Sequence, residues 1–287
     1  MIILEERVDA LASVLSELGI EAVLRIEESD PQFRAVRRLV SALDPCLAVI
    51  LVVGNALVSY RLSIPGEEYW EEFSLAAQHY YARAGSWNAS AMGFFRDFLP
   101  SSRGNRLGVS VKLRRLEKLF SRLTPSDACM FCSDLKGFQA RLSRVLGTSS
   151  DAKTVVFAVK MLYYACRAMG RASDMPMDVD IPVDTRIAML AATSGIVSNE
   201  SWRRVWRTLY ERRRGLAARA WRLVAEGSGI PPLHLDAVLW LPGRAAREAE
   251  YRRDEAVRLA YRYLAGYLGE DNPLLLRLAE ELFYRLG

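Results

Sequence analysis

Apolar residues recur three and four positions apart along most of this chain. No stretch sustains the two-residue alternation, rich in β-branched residues, that a sheet requires. That period confines the chain to helices packed on helices, and it predicts an all-α protein of about a dozen helices. Leu4 to Leu18 keeps the period and stops at Gly19, a residue suited to the turn after a helix. Asp30-Pro31 reads as an N-cap followed by proline at the first helical position, opening a helix to about Leu43. Further helices are expected over 48–62, 67–84, 88–98, 107–123, 133–146, 151–169, 185–194, 199–226, 233–241, 245–268 and 272–286. Breaks are expected at Pro65-Gly66, at 100–104, at Thr124-Pro125, at 147–150 and at 227–232. Neither a solenoid repeat nor a low-complexity tract is present.

At 287 residues, 51% apolar and 25% charged, the chain has the composition of a folded globular protein with ample core. The net charge of +5 favours an anionic partner weakly. The start, Met1-Ile-Ile-Leu-Glu-Glu-Arg7, turns charged at once, so no signal peptide is expected and the cytoplasm is the expected location. Cys46 to Tyr60 is the most apolar run, too short to span a membrane, and it reads as a buried helix. Of the four cysteines, Cys129 and Cys132 form a Cys-x-x-Cys, with Cys46 and Cys166 isolated. The two histidines, His79 and His234, lie far off in sequence, so buried thiols or one disulfide are expected ahead of a structural metal.

Five of the 39 basic residues are lysines, and Lys153 and Lys160 fall on one helix stripe with Phe157 between them. Asp184 follows Pro182-Val183, where a helix would start. Arginine keeps its proton in proteins, whereas a desolvated lysine can lose it and act as a nucleophile or Schiff-base former. A lysine–aspartate pair is one reading; ordinary surface lysines and a helix-capping aspartate are the other. Ahead of Lys153, a helix ends at Gly147 and a polar turn, Thr148-Ser149-Ser150, leads into the next helix. Exposed N–H groups at such a turn grip phosphate without regard to sequence, although a routine helix-to-helix turn looks the same. The stretch from Glu200 to Arg214 is the densest in arginine and tryptophan, and it reads either as a phosphate track or as a solvated helix face.

Several segments in order resemble the archaeal 8-oxoguanine DNA glycosylase/DNA lyase family, a branch of the helix-hairpin-helix–Gly/Pro–Asp glycosylase superfamily. They are Asp30-Pro-Gln-Phe-Arg-Ala-Val36, Asn55-Ala-Leu-Val-Ser-Tyr60, Gly66-Glu-Glu-Tyr-Trp70, Ala152-Lys-Thr-Val-Val-Phe-Ala-Val-Lys160, Pro182-Val-Asp184 and Asp236-x-x-x-Trp240. The turn departs from the superfamily's usual Gly-x-Gly, and the gap of 31 residues from Lys153 to Asp184 is longer than usual. The resemblance implies two helical subdomains flanking an active-site cleft. One would combine 1–50 with 190–287, and the other would span 51–189 with a helix-hairpin-helix near 134–169.

It also implies roles. Lys153 would attack C1′ and form a Schiff base, with burial and the nearby cation Lys160 favouring its neutral amine. Asp184 would stabilise the cationic sugar. Phe157 and Trp240 would sandwich the flipped base, Gln32 would accept the N7–H that marks 8-oxoguanine, and Asp236 would accept from its guanine-type edge. Lys160 would contact the base, and Gly147, Thr148, Ser149 and Ser150 would hold the DNA backbone. Trp70 and Asn55 are expected to be structural. The implied partner is damaged DNA, met by a monomer with no metal, organic cofactor or membrane. A glycosylase of the same superfamily with another lesion preference would keep Lys153 and Asp184 without needing Gln32 and Asp236. A non-catalytic helical DNA-binding protein would need none of them, and a protein–protein scaffold would show no salt-dependent DNA affinity.

Overall fold

The computed structural model describes residues 1–84, 90–172, 174–198 and 200–287. Fifteen α-helices occupy the described residues. They are α1 (Glu5–Ser29), α2 (Pro31–Ala42), α3 (Pro45–Val58), α4 (Gly66–Ala84), α5 (Ala91–Ser101), α6 (Val109–Phe120), α7 (Pro125–Met130) and α8 (Leu135–Leu146). After them come α9 (Lys153–Ala168), α10 (Thr185–Thr193), α11 (Trp202–Glu211), α12 (Arg214–Ser228), α13 (Pro232–Glu248), α14 (Arg253–Leu268) and α15 (Pro273–Leu282). The strand content of the described residues is one antiparallel pair of two-residue strands, β1 (Ile2–Ile3) and β2 (Val197–Ser198). No helix is long and apolar enough to cross a membrane, among the described residues.

Local chemistry accounts for most of the boundaries. The Asp30 and Asp44 side chains accept from the backbone N–H groups of Gln32 and Leu47, and a proline occupies the first position of α2 and of α3. Four expectations need correction. Gly19 takes the positive φ expected of it (78°), but the chain rewinds at once because Val23 and Ile26 have a core to enter. The short helix α7 went unrecognised: six residues are too few to display a period, although Thr124 and Asp127 form a capping box. The helix expected over 199–226 is two, α11 and α12, parted at Arg212 and Arg213, which are exposed and bury nothing that would oppose a turn. The expected break near 242–244 is absent. Leu241, Pro242, Ala245 and Ala246 stay buried and α13 runs on, the turn falling at Glu250 and Tyr251. Residues 88–89 and Asn199, where two helices were expected to begin, lie outside the described residues.

Contacts divide the chain into two compact units, residues 30–174 and residues 1–29 with 175–287. The sequence-based borders stood at 50/51 and 189/190. The difference arises because α2 and α3 pack on α4 and α9 of the central unit.

In the central unit, α3 is buried from Ala48 to Val58, as its apolar run predicts, and packs against α9 and α7. Tyr69, Trp70, Phe73, Phe94, Phe95 and Phe98 fill the core beside it. Two disulfides staple this unit: Cys46–Cys129 joins α3 to α7, and Cys132–Cys166 joins the turn after α7 to α9. One disulfide at most was expected. The close spacing of Cys129 and Cys132 drew attention to that pair, whereas each bonds a residue remote in sequence. The other unit gathers α1 and α10–α15 around Leu11, Leu15, Leu190, Trp221, Leu239 and Phe283.

Candidate active site

In the central unit, α8 ends at Gly147, which holds the left-handed conformation (φ 63°) that glycine adopts without strain. Thr148, Ser149 and Ser150 follow, all exposed. The turn is tied back by Thr148 N–H to the Ser143 carbonyl (3.1 Å) and by Gln139 Nε2 to the Ser150 carbonyl (2.9 Å). The N-cap of α9 is Ala152, whose side chain offers no acceptor to the first turn, so the N–H groups there remain available to an anion. Lys153 is the first residue of α9 and is exposed. The expected burial is therefore absent, because the residue opens a helix directly after a surface turn. Its neighbour Thr154 accepts a hydrogen bond from Arg115 Nη2 (2.5 Å).

The α9 stripe continues inward. Phe157 is half-buried, its ring edge-on to Trp70 with centroids 6.2 Å apart. Trp70 is itself buried, in keeping with a structural role behind Phe157. Lys160 is buried, its Nζ lying 5.2 Å from the centroid of the Tyr164 ring. The Tyr164 hydroxyl donates to Asp30 Oδ2 (3.0 Å), while Asp30 Oδ1 accepts from Gln32 N–H (2.8 Å). A Cβ on Gly66 would lie 3.5 Å from Gln32 Nε2, so the glutamine side chain runs along a position with no side chain of its own. Phe157, Lys160 and Tyr164 thus share the α9 stripe with Lys153 at its exposed end, and Asp30 links the Gln32 backbone to Tyr164. Sequence reading missed Tyr164, though it extends the stripe by four residues from Lys160.

Beneath the start of α9, α6 carries Lys112 and Arg115. Lys112 is fully buried, donating from Nζ to the Tyr60 carbonyl (3.0 Å) and to Asn105 Oδ1. Burial, aided by the charge of Arg61, pushes its ammonium down to about 8. Burial also lowers Arg115. Asn105 Nδ2 donates to the Tyr69 hydroxyl (2.7 Å), which donates to buried Asn55, so Asn55 is structural, as expected.

The other unit holds Asp184, Asp236 and Trp240. Asp184 is the N-cap of α10, where the preceding proline placed it. Its Oδ1 accepts from the N–H groups of Arg186 (2.8 Å) and Ile187 (3.0 Å), and its Oδ2 from Arg186 Nε (3.2 Å) and Nη2 (3.1 Å). The carboxylate is thereby held by a helix terminus and a guanidinium fork together. The stem of Arg186 lies over Gly243 of α13, where a Cβ would come within 3.2 Å of Arg186 Cβ. Asp236 and Trp240 lie four apart on α13, both half-buried, and Asp236 sits past the first turn, so it does not cap that helix. His234, two residues earlier, is buried and paired through Nδ1 with Glu27 Oε1 of α1 (3.0 Å), which fixes the first turn of α13. Arg186 was missed by sequence reading, although it stands two residues from Asp184. No group of three or more His, Cys, Asp or Glu could hold a metal ion, among the described residues.

Comparison with known proteins places these residues in a family. The chain matches the family AGOG, N-glycosylase/DNA lyase, over residues 12–274. The N-glycosylase/DNA lyase of Thermococcus kodakarensis is 40% identical over 243 residues, covering 82% of this chain and 84% of its own. The protein of the same name from Pyrobaculum aerophilum is 35% identical over 258 residues, covering 86% and 90%. A crystal structure of the 8-oxoguanine DNA glycosylase from Pyrobaculum aerophilum, complexed with 8-oxoguanosine, superposes with a TM-score of 0.71 at 31% identity, covering 97% of each chain. A lysine opening a helix behind a polar turn, an aspartate capping another, and a match along most of the chain lead to one conclusion: this chain belongs to the AGOG family and is a DNA N-glycosylase with DNA lyase activity.

Proposed function

We propose that the enzyme excises 8-oxoguanine from DNA through a Schiff base on Lys153 and then cleaves the strand by β-elimination. Supporting this reading is the position of Lys153, exposed at the start of α9 with Phe157 and Lys160 further along the same stripe. The Lys153 amine attacks C1′ of the flipped nucleotide and the bond from C1′ to the base nitrogen breaks, the electron pair leaving with the base. The sugar ring opens to an iminium. That cation acidifies the C2′ proton, whose removal expels the 3′ oxygen as the strand breaks. Asp184 is the carboxylate for the positive charge that builds on the sugar as the base leaves.

Recognition is assigned by chemistry. Phe157 and Trp240 offer π-faces, which bind any base. Identity comes from polar groups: the Gln32 side-chain carbonyl accepts the N7–H that guanine lacks, Asp236 accepts N1–H and the exocyclic amine, and Lys160 donates to the base. Gln32 must keep its amide orientation for this; its backbone is anchored through Asp30 to Tyr164. The exposed segment 147–150 and the uncapped first turn of α9 form the helix-hairpin-helix grip on the phosphates beside the lesion.

Borohydride trapping tests the reading, on a duplex with one 8-oxoguanine, on undamaged duplex, and with Lys153→Gln. A covalent adduct only with damaged DNA and intact Lys153 is the expected result. Binding of damaged DNA with no adduct from either protein would sink the Schiff-base step.

A further inference from the structure

We propose that the outer face of α11 and the arginines that follow it form a second phosphate track, taking the DNA strand that flanks the lesion. The inference rests on the DNA-repair reading above and extends it to a surface remote in sequence from the segment 147–150.

Residues 200–214 contain six arginines and two glutamates, a local charge of +4 on a chain whose net charge is +5. The helix buries Trp202, Val205 and Leu209 on its inner face and leaves Arg203, Arg204 and Arg207 in solvent, with Arg212, Arg213 and Arg214 exposed just beyond. Arg204 pairs with Glu200. Among the described residues, no carboxylate lies within ion-pair distance of Arg203, Arg207, Arg212 or Arg213. Elsewhere in the same unit Arg7, Arg222 and Arg258 are matched to Glu281, Asp180 and Glu255. Arg203 and Arg207, four apart on the outer face of α11, with Arg212 and Arg213 at its end, concentrate positive potential there, and the polymer of opposite charge that this enzyme meets is DNA.

Two independent features prepare the strip for that occupant. Arg203 is held over the rings of Trp202 (4.4 Å from guanidinium carbon to centroid) and Tyr251 (5.7 Å). A guanidinium on an aromatic face loses rotameric freedom while its in-plane N–H edge stays open to a phosphate. The platform beneath it is Trp202 stacked on Trp206 (6.0 Å), with Tyr251 against both. Tyr251 reaches it from a backbone with φ 63°, next to Glu250 at 51°, a conformation that disfavours both side chains. The same platform is fastened to the proposed catalytic carboxylate: Trp206 Nε1 donates to the Thr185 carbonyl (2.9 Å), one residue after Asp184. A strand lying on Arg203 and Arg207 is thereby registered to the N-terminus of α10.

The test measures affinity for an undamaged duplex across a range of KCl concentrations, by fluorescence anisotropy. Three full-length proteins are compared: the wild type, R203Q/R207Q/R212Q and R203K/R207K/R212K. Each phosphate contact contributes about 0.9 to the slope of log affinity against log salt. The glutamine triple should therefore lose about 2.7 of that slope if all three arginines engage phosphate, while the lysine triple keeps it. An unchanged slope in the glutamine triple overturns the track. Equal loss in both triples also overturns it, by assigning the effect to packing on the aromatic platform instead of charge. If the wild type itself shows no salt-dependent DNA binding, the DNA-repair reading fails rather than this extension of it.

Discussion

Arg186 illustrates how a single side chain can set the chemistry of another. Its guanidinium holds one oxygen of Asp184 while the α10 backbone holds the other. On the role proposed for Asp184, Arg186→Met should lower single-turnover excision about 10- to 100-fold through the misplaced carboxylate; rapid-quench rates check it. Lys112 makes a different prediction. Its ammonium is disfavoured in the folded chain, falling from 10.5 to about 8, so between those values the unfolded chain binds more protons. This group therefore makes stability rise with pH through that window, and its cost is fully present below about 8. Denaturant titrations at pH 7.5 and 9.5 should show the wild type gaining on Lys112→Met, by about 2 kcal/mol at most.

Helices α3, α7 and α9 are cross-linked as well as packed. Cys46–Cys129 closes a separation of 83 residues and Cys132–Cys166 one of 34. Chain-entropy reasoning gives each about 4 kcal/mol, with the longer loop ahead by about 0.8 kcal/mol. Full reduction should lower the melting temperature, and Cys46→Ala should cost more than Cys166→Ala, measured by calorimetry under non-reducing conditions. Neither pairing was legible beforehand. A disulfide needs Cβ atoms about 4 Å apart, and only the packing of α3 on α7 and α9 decides which cysteines meet that condition. The caps Asp30 and Asp184 are the opposite case, because they bond within three residues of themselves and are read from the string, whereas the Asp44 cap, which starts α3 three residues before the expected 48, was missed.

On the scale of the whole chain, residues 30–174 form a compact unit that is continuous in sequence and contains both disulfides, whereas the other unit needs both ends of the chain. A fragment of residues 30–174 should fold alone, with helical circular dichroism and a cooperative thermal transition. A fragment of residues 175–287 should not, because α1 supplies Leu11, Val14, Leu15, Val23 and Ile26 to its core. Adding a peptide of residues 1–29 in trans should restore its cooperative transition.

By itself the sequence determined the helical class, the Asp30 and Asp184 caps, the buried α3 and the stripe of Lys153, Phe157 and Lys160. All of these depend on residues within a few turns of one another, where a period of 3.6 and local hydrogen bonds decide the outcome. Tertiary structure alone decided the disulfide partners, the exposure of Lys153, the link from Asp30 to Tyr164, and the bracing of Arg186 over Gly243. Those features join residues remote in sequence, or depend on which surfaces the remaining helices leave in solvent. No local pattern carries that information, because burial belongs to the packed molecule and not to any one segment of it.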